Sequence, residues 1–194
     1  MNNANEITLK IKCDTMDEFY KLLENKGFSI VDKYFLDDIY FIPEDLKLSE
    51  LSIREILSKA ILVRNCMRKK PEYRLTFKKK DINKDGTILN QIIYNVNILD
   101  KTEGINFVKA IGYKQIMQIK EIGIVYEKDG FQIDTKNIEN MENLIEVEIV
   151  PDDERYNTIE KLKETLIKFD LPLYMDNFFV KKAEIELEKI LKDR

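Results

Sequence analysis

Residues Glu6–Lys12 alternate strictly, with Ile7, Leu9 and Ile11 apolar and Glu6, Thr8, Lys10 and Lys12 polar. A period of two marks a strand that buries one face, so the first element is a half-buried β-strand whose polar side carries Glu6, Thr8 and Lys10. The period then lengthens. Met16, Phe19, Tyr20 and Leu23 share one helical face, Thr15 and Glu18 have capping-box spacing, and Gly27 supplies a left-handed stop. An aromatic-rich extended segment follows at Val31–Phe41. Ser52 and Glu55 repeat the capping-box spacing before a short helix, with Leu51 and Ile56 set as its hydrophobic staple.

Strand-like runs then occupy Ala60–Cys66, Tyr73–Lys80 and Ile88–Ile98, and a helix ending at Gly112 places Ile105, Val108 and Ile111 on one side. Further strands are expected at Gln115–Tyr126, Phe131–Asp134 and Leu144–Val150, with Asp129 and Gly130 as a tight hairpin turn. Beyond Pro151 the pattern becomes helical. Ile159, Leu162, Leu166 and Ile167 mark one helix; Phe179, Ala183, Leu187, Ile190 and Leu191 mark the last, with Glu184, Glu186 and Glu188 facing outward. This order predicts an α+β protein. About eight antiparallel strands close into a barrel, or tunnel, over roughly residues 6–150, with flanking helices and C-terminal helices over about 152–193. No linker, low-complexity tract or fixed-period repeat interrupts 1–194, which reads as a single domain.

Composition sharpens the picture by exclusion. With 194 residues, 44% hydrophobic and 35% charged, the chain can bury one core. A net charge of -4 argues against a general nucleic-acid coat, and the basic clusters Arg68–Lys70 and Lys78–Lys80 read as solvated strand ends. No apolar run approaches the roughly 20 residues that span a bilayer, and Met1–Glu6 lacks the layout of a secretory signal. A cytoplasmic protein without a membrane partner is expected, with Cys13 and Cys66 as reduced thiols. Histidine is absent, which removes the commonest general base and every Ser-His or Cys-His dyad. Chemistry must therefore run on carboxylates, lysines, arginines, hydroxyls and a hard cation. Asp81–Gly86 imitates the start of an EF-hand loop, but its twelfth position is Ile92 and its flanks are strands, so a hairpin loop is expected.

Several other strands repeat the polar-face layout of the first. Arg64 ends the apolar run Ala60–Arg64, Thr76 and Lys78 share a face, and so do Glu146 and Glu148. If these faces line one hollow, they offer cations to phosphate oxygens and carboxylates to a hard metal.

In order along the chain these elements resemble the motifs of the CYTH, or triphosphate tunnel, family. Glu6, Thr8 and Lys10 match its E-x-E-x-K opening in part; Asp38–Phe41 resembles D-x-Y-F; Ile61–Arg64 resembles L-R-x-R. Leu75–Lys78 resembles L-T-x-K, Glu146–Glu148 resembles E-I-E, and Lys109–Tyr113 is similar to the segment before the family's basic strand. The resemblance implies a small phosphorylated ligand, a nucleoside or inorganic triphosphate, that is hydrolysed or cyclised with Mg2+ or Mn2+. It assigns phosphate binding to Lys10, Arg64 and Lys78, and metal binding to Glu6, Glu146 and Glu148. A homodimer is left open.

The chain departs from the family pattern at Thr8 and Leu62, where a glutamate and an arginine are expected. It departs again at Ile88–Ile98, which lacks acids, and at Glu121 and Gly123, where two basic residues are expected. These departures motivate a second reading, a non-catalytic ligand- or protein-binding module that keeps the barrel.

Overall fold

The structure, a computed structural model, describes residues 6–82 and 88–192, with side chains described outside 80–91. Most of the loop expected at Asp81–Gly86 therefore lies outside the described residues. The strands are β1 (Glu6–Lys10), β2 (Ser29–Pro43), β3 (Ile61–Met67), β4 (Pro71–Ile82), β5 (Ile88–Asn97), β6 (Tyr113–Lys128), β7 (Phe131–Ile138) and β8 (Leu144–Glu148). The α-helices are α1 (Met16–Asn25), α2 (Ile53–Ser58), α3 (Lys101–Ala110), α4 (Ile159–Phe169) and α5 (Lys182–Lys192).

Local signals act where the sequence put them. The Thr15 hydroxyl accepts from the Glu18 N–H, and Ser52 and Glu55 form a reciprocal capping box. Gly27 ends α1 at φ 85°, and Asp129 and Gly130 both take positive φ, the conformation a two-residue hairpin turn requires.

The fold is α+β, and its strands form one sheet in the order β1-β8-β7-β6-β2-β3-β4-β5, with every pairing antiparallel. Glu6 of β1 and Ile93 of β5, on opposite edge strands, line the same cavity, so the sheet is curled upon itself. Among the described residues no ladder joins β1 to β5. The outer edge of β1 is met instead by the segment between α4 and α5. Thr8 N–H donates to the Phe178 carbonyl at 2.9 Å, Val180 N–H donates to Thr8, and Tyr174 N–H donates to Lys10. The periodicity alone would place Phe179 on the last helix; it lies in this strap because an uncovered strand edge takes a backbone partner where one is in reach.

Apolar clusters sit on both sides of the sheet. On the convex side Ile7, Leu9, Ile133, Ile145 and Val147 pack with Phe19 and Leu23 of α1 and Leu162 and Leu166 of α4. Val108 of α3 covers Ile39, Phe41 and Val63. The third cluster lies on the concave side, where Tyr40, Leu62, Ile119, Ile138 and Leu144 meet Ile56 of α2 and Val180 and Leu187 of the strap and α5. The last helix thus does more than cover an outer face: with α2 it fills one part of the hollow. Among the described residues no helix is long and apolar enough to cross a membrane, and Cys13 and Cys66 are free.

Candidate functional site

Antiparallel register assembles the site. Glu6 faces Glu148 and Thr8 faces Glu146 across β1 and β8, Asp134 faces Glu146 across β7 and β8, and Lys136 faces Gly123 across β6 and β7. Alternation then turns these side chains to the concave face, where they line a cavity of about 810 Å³. The walls are polarised. Glu6, Asp134, Glu146 and Glu148 come from β1, β7 and β8, whereas Arg64, Arg74 and Lys78 come from β3 and β4. Among the described lining residues carboxylates and cationic side chains are equal in number.

Glu6, Glu146 and Glu148 each offer a carboxylate oxygen, and the three oxygens lie within 4.8 Å of one another. Three anionic oxygens at this spacing suit a hard divalent cation, which takes oxygen ligands at roughly 2.0–2.6 Å. Beside them, Oδ1 of Asp134 is buried without a hydrogen-bond partner among the described residues, and burial pushes that carboxyl above its ordinary value. These donors fit Mg2+ or Mn2+. Burial, then the charges of Glu146 and Glu6, push the Glu148 carboxyl above its ordinary value. Burial would do the same at Glu146, but Lys136, Lys182 and Lys78 outweigh it and hold that carboxyl low.

Lys136 stands at the centre of the acidic wall. Its side chain is 7% exposed, and its ammonium lies 3.2 Å from Asp134, 3.3 Å from Glu146 and 3.6 Å from Glu121. Burial alone would favour the neutral amine; Glu146, Glu121 and Asp134 reverse that and raise its pKa well above the usual lysine value. Glu121 also receives Lys182 of α5 at 2.5 Å, and against the cost of burial Lys182 and Lys136 hold its carboxyl at about 2. Tyr34 closes the cluster, donating its hydroxyl to Asp134 at 2.7 Å. Its ring lies over Gly123, where an added Cβ would stand 2.0 Å from it.

On the opposite wall Arg64 donates Nε and Nη2 to Asp38 at 2.7 and 2.6 Å, a bidentate pair whose carboxylate is fully buried. Arg74 pairs with Glu72, and Arg68 with Asp32.

Of the residues singled out from sequence, Glu6, Glu146, Glu148, Arg64 and Lys78 meet in this cavity, whereas Lys10 is not among its lining residues and its ammonium pairs with Glu142. Lys136 and Lys182 escaped the sequence reading. Lys136 had a signal, since Asp134 and Lys136 share one face of β7 opposite Ile133, but the strand was expected to stop at Asp134. Lys182 had none, because only packing carries the start of α5 into the hollow. The structure also explains two departures. Leu62 belongs to the apolar floor under α2 and α5, and Glu121 is held by two lysines that no linear motif contains.

The curled antiparallel sheet, with acids on one wall of its hollow and cations on the other, is similar to the CYTH-like tunnel that the motif resemblance implies. No family model matches the chain. Its sequence is 25% identical over 184 residues to a Methanocaldococcus jannaschii protein provisionally named an adenylate cyclase, covering 94% of this chain and 97% of that one. In fold it is similar to the PH1819 protein of Pyrococcus horikoshii, with a TM-score of 0.71, 19% identity, and coverage of 96% and 99% of the two chains. It is also similar, at a TM-score of 0.64 and 14% identity, to a Hippeastrum protein provisionally named an adenylyl cyclase and described as having a dominant triphosphatase activity. That match covers 96% of this chain and 95% of the other.

Proposed function

We propose that the whole chain acts as one domain whose curled sheet works as a tunnel, binding a triphosphate-bearing ligand together with Mg2+ or Mn2+ and acting on it by phosphoryl chemistry. The carrying observation is the convergence of Glu6, Glu146 and Glu148 within 4.8 Å, on the wall of a cavity whose other side presents Arg64, Arg74 and Lys78. A bound divalent cation would neutralise phosphate charge and orient a phosphoryl oxygen. The chain's own part is positioning. Lys78 and Arg74 would clamp phosphate oxygens, and Asp38 would hold the Arg64 guanidinium in one orientation. In-line attack by water would give hydrolysis, and attack by a hydroxyl of the ligand would give cyclisation. The unbridged thiols suit a cytoplasmic setting.

The test is calorimetry with tripolyphosphate and with ATP, each with and without Mn2+, followed by assays for released phosphate and for cyclic nucleotide. Expected are Mn2+-dependent binding, turnover, and at least a tenfold loss of affinity in Lys78→Ala, as one charge-assisted contact implies. Failure of both ligands to bind at any Mn2+ concentration would sink the proposal.

The internal pairing of charges favours one alternative. Lys136 and Lys182 already neutralise much of the acidic wall, and Asp38 engages Arg64, so the hollow also suits a less charged ligand held without chemistry. Binding of a monophosphate as tightly as a triphosphate, without turnover, would favour it.

A further inference from the structure

We infer that the Lys136 ammonium stands in for a divalent cation, so that this site takes a single metal ion where the carboxylates present could bind two. The inference rests on the proposed metal-binding role of Glu6, Glu146 and Glu148 and refines it.

The argument starts from how the acids are shared. Glu6, Glu146 and Glu148 bring three oxygens within 4.8 Å on one side. On the other, Glu146, Asp134 and Glu121 surround one ammonium at 3.3, 3.2 and 3.6 Å. Glu146 belongs to both groups. Two cation positions joined by a shared carboxylate is the arrangement of a two-ion centre, and here one position is filled by a side chain of the protein itself.

The exchange is incomplete in charge and in contacts, and this is a second, independent observation. An ammonium brings one positive charge and three donors to carboxylates that an ion would meet with two charges and six or more coordination positions. Lys136 reaches Oδ2 of Asp134, while Oδ1 stays buried without a partner among the described residues. A group with more positive charge and more coordination positions would satisfy that oxygen. Tyr34 and Gly123 make room for the arrangement. The Tyr34 hydroxyl lies 3.4 Å from the Lys136 ammonium, and its ring occupies the space any side chain at 123 would need. Removing the ammonium without replacing it would leave Asp134 and Glu146 facing one another in a poorly solvated place, with Glu121 still held by Lys182 at 2.5 Å, so the protein would melt lower.

Metal stoichiometry tests the inference without reference to turnover. The full chain and the Lys136→Met variant are titrated with Mn2+ alone, and bound ion is counted by calorimetry and by electron paramagnetic resonance. The wild-type chain should bind one ion and the variant two, with a spin-coupled signal from the closely spaced pair. The variant should melt lower than wild type without metal and recover more of the difference on adding Mn2+. Equal stoichiometry in the two proteins overturns the inference, as does a wild-type chain that binds two. A variant that stays unfolded both with and without Mn2+ overturns it too, since the emptied position should accept the ion. If the wild-type chain binds none and the variant one, the role given to Glu6 and Glu148 fails while the substitution of lysine for metal stands.

Discussion

Glu148 and Glu121 are both glutamates of the same cavity, and their surroundings drive them in opposite directions. Glu148 is raised by partial burial and by two neighbouring acids, whereas two lysines hold Glu121 at about 2 against its burial. The consequences for pH have opposite signs. A carboxyl raised on folding contributes stability below its unfolded pKa and loses it as pH rises through the folded value. Ionised Glu148 is the form that can ligate a cation, so Mn2+ affinity should rise with pH across that same interval, with protons released on binding. Titrations in buffers of different ionisation enthalpy check this, and Glu148→Gln should remove both the proton release and most of the pH dependence. Glu121 contributes stability above its ordinary value of 4.5 that is lost as pH falls toward about 2. A shift of this size corresponds to about 3 kcal/mol at neutral pH. Urea unfolding of the wild-type chain at pH 7 and pH 3 should differ by a large part of that amount, and Glu121→Gln should shrink the difference.

At the scale of elements, α5 joins two things that a linear motif would keep apart. Leu187 is fully buried in the concave cluster with Leu62 and Leu144, and five residues earlier Lys182 reaches the Glu121 carboxylate. Glu184, expected to face outward, pairs instead with Arg54 of α2 at 3.2 Å and lines the hollow. Packing and charge therefore act together, and α5 holds its lysine in place through an apolar contact. Leu187→Ala should cost about 2–5 kcal/mol in chemical unfolding, the usual range for a buried leucine. The same variant should lose part of the Lys182 contribution at Glu121, visible as a weaker acid dependence of stability. A loss of stability with unchanged acid dependence would show that helix and lysine are held independently.

For the whole molecule, the division of the hollow into an acidic wall and a cationic wall governs how an anion can enter. With equal numbers of acids and cations among the described lining residues, a triphosphate meets little net attraction until a divalent cation neutralises the acidic side. Chelation with EDTA should therefore weaken tripolyphosphate binding at least tenfold, and added salt should weaken it further by screening the exposed cations. Calorimetry at two ionic strengths, with and without chelator, measures both effects. The eight strands, the five α-helices, both capping motifs and the Asp129 and Gly130 turn follow from periodicity and local chemistry, although the last helix starts later than its pattern suggests. The alternation of Glu6, Thr8 and Lys10, and of Glu146 and Glu148, likewise fixes which side chains share a face. Local rules could not supply the neighbours. Lys136 matters because register sets it between Asp134, Glu146 and Glu121, and Lys182 because an apolar seam draws α5 into the hollow. Lys10, equally well placed along its strand, pairs with Glu142. Periodicity is a property of successive residues and survives in the one-dimensional pattern; electrostatic partnership depends on distances between strands remote in sequence, and those are set only when the sheet curls and its core closes.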